Sequence, residues 1–418
     1  MPGARRELIR RLNAAASCVA AVLVFVGCAI LSAQGASGAP RSAQTGSPAF
    51  QSLSAKATAA QDAGNLYEAI PLFRKALAVN PGWVEGWWSL GEIDYKDDRY
   101  RAAASEFKKA AALDPKYGTA RAMLGLCEFE LGQDKEALGD IEASKELGME
   151  QDPQLRQVVL YHEGILLQRA SRYEQASMAL SSLCLSGVRS IDLAQIFGMA
   201  MLHINSKTAP SENSPEGDVV QHIGRGACLA AANEYDRARP EYEHVLQQYP
   251  HFPLAHFAYG RFLLEARDRP GAIEAFKQEI REHPDNVLAR LEIAAAEYKV
   301  DSAAGVPYAR QAVALVPQSP LPHYLLGLLL LDTGDFQGSI PHLEQASKAF
   351  SSDARIYWSL GVAYAHVGRP KEAAEARATF ARLNKAKSAE TRSGVTGIRP
   401  DEMPQMNVNE NAGAEAKP

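Results

Sequence analysis

The chain has 418 residues, 46% of them hydrophobic and 22% charged, and a net charge of −5. That composition is ordinary for a globular protein, and without a basic stripe it gives nucleic-acid binding no electrostatic support. A single hydrophobic core does not extend over this length, so several domains or a stack of repeats is required.

The N-terminus reads as an address rather than as fold. Arg5, Arg6, Arg10 and Arg11 precede an uncharged, mostly apolar run from Ala14 to Leu31, and a small-residue run follows. This is the layout of a secretory signal, with cleavage after Ala33 or within the next few residues. Arg5-Arg6 loosely resembles a twin-arginine signal, and Val26-Gly27-Cys28 a lipoprotein cleavage box. A retained anchor is the third option, because residues 14–31 reach the lower edge of a membrane span. Residues 1–33 are therefore assigned as signal peptide or membrane anchor, and 34–49, rich in Ala, Gly, Ser and Gln, as a flexible spacer. Each version places the rest of the chain outside the cytoplasm, periplasmic or extracellular, free or tethered through residues 14–31.

From Phe50 onward one pattern recurs. The turn Gly64-Asn65 precedes Ala69, Phe73, Ala76 and Pro81. The next unit, Val84 to Tyr117, sets Trp87, Leu90 and Gly91 at W-x-x-L-G and Ala103, Phe107, Ala110 and Pro115 at A-x-x-x-F-x-x-A-x-x-x-x-P. Two stretches with apolar residues at i, i+3, i+4 and i+7 flank the polar turn Lys96 to Arg99, which predicts a helical hairpin. Small Gly91 and Ala103 let the helices approach, while Trp87 and Phe107 fill the space beside them. A third unit from Gly118 keeps the phase through Leu124-Gly125, Gly132, Ala137 and Ile141. One such hairpin cannot bury its own apolar stripe, so it needs neighbours.

The period and its residues resemble the tetratricopeptide repeat family. The resemblance implies an all-α, right-handed superhelical solenoid of helix-turn-helix repeats that binds protein or peptide partners. The phase slips around Glu150 to Pro153, and a fourth unit follows with Gly164, Tyr173, Ala176 and Leu180. Ser190 to Asn205 then reads as a lone amphipathic helix and 206–218 as a loop, either a hinge between sub-arrays or a tolerated surface insertion. The pattern resumes at Val219 and runs through units beginning near Pro253, Val287, Pro320 and Ala354. Nine repeats and one degenerate helix result. The organisation expected is an N-terminal array over 50–204, a loop over 205–218, a C-terminal array over 219–387 and a disordered tail over 388–418.

No catalytic motif accompanies the repeats. His162, His251 and His256 read as core or surface histidines, so no metal and no cofactor is expected. Cys127, Cys184 and Cys228 are far apart and odd in number, and no disulfide framework or metal spacing is visible. Cys127 and Cys228 read as small buried apolar residues.

Function is then sought on the repeat surface. In the family resembled, successive first helices line a concave groove. Trp88, Glu92 and Tyr95 form a stripe beside the packing side of the first helix. The same offsets in later units give Phe129, Tyr161, Phe257 with Arg261, Tyr298, Tyr324 and Trp358. The stripe lacks the Lys, Asn and Arg set of the family's carboxylate clamp, which disfavours an acidic chain terminus as ligand. Its aromatic content points instead to an apolar or amphipathic segment of a partner protein, and so to a non-enzymatic scaffold or adaptor. The competing reading packs these rings between repeats. Two functional rivals are a membrane-tethered envelope assembly or secretion factor, and an enzyme using Glu92, Arg261 and Tyr298 in a deep pocket.

Overall fold

The structure, a computed structural model, describes residues 47–149 and 153–392, with side chains up to 386. The signal or anchor, most of the spacer, Cys18, Cys28 and the tail beyond 392 lie outside the described residues. Nineteen helices and no strands are present among those described. They are α1 Pro48–Asp62, α2 Leu66–Val79, α3 Val84–Lys96, α4 Tyr100–Leu113, α5 Gly118–Glu130, α6 Asp134–Leu147, α7 Pro153–Arg169, α8 Tyr173–Leu185, α9 Ile191–Met201 and α10 Pro215–Ala231. Then follow α11 Tyr235–Gln248, α12 Ala255–Glu265, α13 Arg269–Glu282, α14 Val287–Glu297, α15 Ser302–Leu315, α16 Pro320–Asp332, α17 Phe336–Ala349, α18 Ala354–His366 and α19 Pro370–Arg392. In chain order they pair as nine hairpins, with α9 as the supernumerary helix. No described helix is long and apolar enough to cross a membrane.

The turn inside each hairpin explains the period. Gly64, Gly132, Gly334 and Gly368 adopt left-handed φ values of 73°, 74°, 83° and 75°. Asp98, Ser171, Asn233 and Arg267 hold the same kind of turn with φ between 57° and 63°. The next amide donates back across the turn, as Arg99 N–H does to Asp94 O at 2.8 Å and Asp268 N–H to Leu263 O at 2.8 Å. This is the left-handed helix stop, for which glycine costs least. The turn after α14 differs: Tyr298 ends that helix, and Asp301 caps α15 by accepting from Ala304 N–H at 3.2 Å.

The described residues form two compact units, which divide between Leu166 and Leu167 inside α7. In the first, Phe73, Leu77, Leu90 and Ile93 form a core against Trp83 and Trp87. Ala103, Phe107, Leu124 and Cys127 form the next layer against Trp88 and Tyr95. Gly91 lets α3 close onto α4: a Cβ there would stand 2.7 Å from the Phe107 ring. Gly226 and Gly260 face Tyr242 and Phe276 in the same way within the second unit.

The second unit holds α9 by two glycines. A Cβ on Gly198 would fall 1.9 Å from Val220 O, and one on Gly224 would fall 1.7 Å from Ala194 O, so α9 and α10 touch backbone to backbone. Ser214 caps α10, accepting from Gly217 N–H at 3.0 Å, with Pro215 in the first turn. The helix therefore starts inside the stretch read as loop, because Ser-Pro is a helix-start signal.

One expectation from the cysteines is corrected. Cys184 on α8 and Cys228 on α10 form a disulfide, with Cα atoms 5.2 Å apart. Their distance in sequence hid this, because α9 and its loop leave the line of repeats and bring α10 back against α8. Cys127 is a buried free cysteine.

Candidate functional site

The stripe residues lie on first helices, as their spacing requires, but the units present them unequally. Among those of the first unit, Trp88 is half-buried, its ring 5.2 Å from those of Phe107 and Tyr117. Glu92 lies one turn further along α3. Burial pushes its carboxyl above the ordinary range, partly offset by Lys96 and the Trp88 indole. Tyr95 meets Tyr100 edge-on at 5.4 Å. Phe129 and Tyr161 approach His162 edge-on at 4.6 and 5.6 Å. His162 Nδ1 donates to Val158 O at 2.7 Å, which fixes the ring between them. The first unit thus offers four half-buried aromatic rings on α3, α5 and α7.

Two of the expected anchors in the second unit are interior. Phe257 is 2% exposed, packed on Phe276 at 5.8 Å and near His203 at 6.3 Å. Tyr324 is 3% exposed inside a core with Leu328, Leu343 and Leu360, against Phe350. Neither side chain is presented to a partner; both are core residues. Tyr298 is half-buried, packed against the same core with the Lys299 ammonium 5.2 Å from its ring centre. Trp358, at the same offset, is 52% exposed on α18.

Arg261 is committed to ion pairing. It binds Glu174 of α8, with Glu265 and Glu292 close by. Burial pushes Glu292 up to about 7 and lowers His203 to about 4. His203 stacks on Tyr173 at 4.3 Å. Glu174, His203, Glu265 and Glu292 were not singled out from the sequence. Only the packing of α8, α12 and α14 gathers them.

Glu92 lies in the first unit and Arg261 and Tyr298 in the second, and the Arg261 guanidinium already has a carboxylate, that of Glu174. A cavity of about 570 Å³ lies at the α3–α4 turn, lined by Asp98 to Ala102 and Leu131, and contains none of the stripe. His251 contacts Glu282 at 2.7 Å, and His256 contacts Pro250 O at 3.1 Å.

Two recurrences are visible only in three dimensions. Buried Asp94 and Glu106 face each other across the α3–α4 hairpin, and Glu128 and Asp140 do so across α5–α6. Burial foremost, then the facing carboxylate, pushes Glu106 up to about 8 and Glu128 up to about 7. His222 and His323 each meet the residue 19 positions on, Glu241 and His342 respectively.

The tetratricopeptide repeat model matches residues 93–152, 229–287 and 324–383. Superkiller protein 3 of Schizosaccharomyces pombe is 27% identical over 150 residues, 34% of this chain, and the chain spans 11% of that protein's length. A crystal structure of MamA is 22% identical with a TM-score of 0.37, covering 39% of this chain and 96% of MamA. A chain of the APC/C hetero-tetramer Cut9-Hcn1 is 14% identical with a TM-score of 0.31, covering 83% of this chain and 90% of its own. At these scores nothing about function follows from the solved structures. The helix order is that of an all-α array of helical hairpins, and three stretches of it match the tetratricopeptide repeat model.

Proposed function

We propose that the protein is a non-enzymatic scaffold that holds an apolar or amphipathic segment of a partner protein on its first-helix face, outside the cytoplasm. Tetratricopeptide repeats generally mediate contacts between proteins, which supports the general role. Trp358 carries the specific reading. It is a large aromatic residue, more than half exposed, at an offset whose equivalents Phe257 and Tyr324 are buried. Aromatic side chains of this kind dominate the energetics of partner interfaces. The half-buried rings of Trp88, Tyr95, Phe129 and Tyr161 would form a second apolar contact face on the first unit. Export is supported by the Cys184–Cys228 disulfide, since such bonds persist in oxidising compartments.

The test is affinity purification from envelope extract with wild type, Trp358→Ala and, as a control, Tyr67→Ala on second helix α2, where Tyr67 is 95% exposed. Both substitutions should leave stability within about 0.5 kcal/mol, as surface changes usually do. Partners recovered by wild type and Tyr67→Ala but lost by Trp358→Ala would fit the proposal. Equal recovery by all three would remove Trp358 from the site.

A further inference from the structure

The α10–α11 hairpin carries a convergence of side chains that the scaffold role does not use. Asp218 and His222 stand one turn apart on α10 and share a face. His244 reaches the same point from α11. Asp218 Oδ1 is 3.5 Å from His222 Nε2, and Asp218 Oδ2 is 3.2 Å from His244 Nε2. The two imidazoles stack with centroids 3.9 Å apart. One ligand atom from each of the three side chains lies within 4.8 Å of the other two.

We propose that Asp218, His222 and His244 bind one divalent transition-metal ion of the zinc class. Bonds of roughly 2.0–2.1 Å in a tetrahedral shell put neighbouring ligand atoms about 3.3 Å apart. The Asp218 carboxylate lies near that distance from both imidazoles, Oδ1 at 3.5 Å from His222 Nε2 and Oδ2 at 3.2 Å from His244 Nε2, and one of the two oxygens would serve as its ligand atom. Two imidazole nitrogens and one carboxylate oxygen form a donor set that suits zinc, cobalt, nickel or copper better than calcium or magnesium.

The surrounding groups prepare the site. His222 Nδ1 lies 2.7 Å from Glu241 Oε2 and donates its proton there. That choice of tautomer leaves the Nε2 lone pair facing the Asp218 carboxylate at 3.5 Å and the Arg225 guanidinium, which holds the place of a cation there. A carboxylate behind a ligating imidazole is the usual outer partner of a metal-bound histidine. Arg225 pairs with the same Glu241 oxygen at 3.1 Å and offsets its charge. Its guanidinium also lies 2.9 Å from His222 Nδ1 and 3.1 Å from Nε2. It is the group an incoming ion would push aside, and at 42% exposure it is free to swing outward. The Tyr249 hydroxyl also reaches Asp218. The Asp218 and His244 side chains are 37% and 40% exposed, so the fourth position opens to water or to a partner's ligand. With an ion bound, α10 and α11 would be stapled at the helix that also carries the disulfide.

The experiment titrates untagged, chelator-stripped full-length protein with Zn²⁺ by calorimetry and with Co²⁺ by visible absorption. One equivalent should bind, the Co²⁺ form should show the intense bands of a tetrahedral site, and the thermal midpoint should rise. His222→Ala and His244→Ala should each weaken binding at least about tenfold, and Glu241→Gln about 10- to 100-fold, the range for such outer partners. His323→Ala, in the other histidine pair, should bind as wild type. Asp218→Asn preserves volume and guards against a misfolded histidine variant; with wild-type helicity it too should bind weakly. Absence of saturable binding, wild-type affinity in folded Asp218→Asn or His244→Ala, or loss in His323→Ala would each overturn the assignment.

Discussion

The close approach of the two helices of the second hairpin gives the most direct test of how the repeats pack. A Cβ at Gly91 would stand 2.7, 2.8 and 2.9 Å from three carbons of the Phe107 ring, whereas ordinary carbon contacts lie at about 3.5–4.0 Å. The ring must therefore yield by roughly 0.8 Å. It has little room to do so. Phe107 is fully buried, with Trp88 5.2 Å away and Leu124 and Cys127 in the same layer. Overpacking of this kind costs about 1–3 kcal/mol, against about 1 kcal/mol gained by replacing glycine inside a helix. Gly91→Ala should thus destabilise by about 1 kcal/mol net. In a Phe107→Leu background the clash shrinks while the helix gain remains, so the same change should become neutral or stabilising. The coupling expected between the two sites is about 1–2 kcal/mol, within the range for residues in contact. Gly139, exposed on α6 with nothing within 4 Å of an added Cβ, serves as the control, and Gly139→Ala should stabilise by about 1 kcal/mol. Because repeat arrays unfold by segments, urea titrations followed by circular dichroism should be paired with amide exchange at Ala103 and Phe107. An equal effect of Gly91→Ala in both backgrounds would refute the assigned packing.

Two further outcomes are expected. Glu106 has its folded-state pKa pushed up to about 8, from burial first and Asp94 second, against 4.5 for the free side chain. Its contribution to stability is therefore full below about pH 4.5 and is lost as pH rises toward 8. Glu106→Gln removes that dependence and can donate to Asp94, so it should raise stability at pH 8 by about 1–2 kcal/mol and change little at pH 4. Thermal melts at both pH values decide, and a variant that gains nothing at pH 8 removes the carboxylate pair from the account. Separately, Cys184→Ser/Cys228→Ser, or reductant added to wild type, should destabilise the second unit by roughly 2–4 kcal/mol, given a closed loop of 44 residues. Melting unchanged by reductant, or no Cys184–Cys228 linked peptide under non-reducing digestion, would contradict the bond.

The features legible in the sequence are those set within one repeat. Gly91 against Phe107 follows from a fixed offset inside one hairpin, and so does the left-handed turn at Asp98. The candidate site is different, because a fixed offset says which helix face a residue occupies and not what lies over it. Phe257, Tyr324 and Trp358 share one offset, yet the first two are buried under different neighbours and the third is exposed. His203, which follows the supernumerary α9, comes within reach of Phe257. Tyr298 and Phe350 pack with Tyr324. Trp358 sits on α18, which only α19 follows among the described residues, so no further first helix packs over it. The same reasoning covers the disulfide and the Asp218–His222–His244 cluster. Both draw residues from α10, the first repeat helix after the phase is broken, where a spacing rule written for regular repeats has least to say. The regular repeats therefore make the frame predictable, and the irregular helix α9 determines which side chains of α8 and α10 meet. A change in α9, such as Gly198→Ala against Val220 O at 1.9 Å, should disturb the Cys184–Cys228 bond and the metal-binding cluster together while leaving the first unit intact.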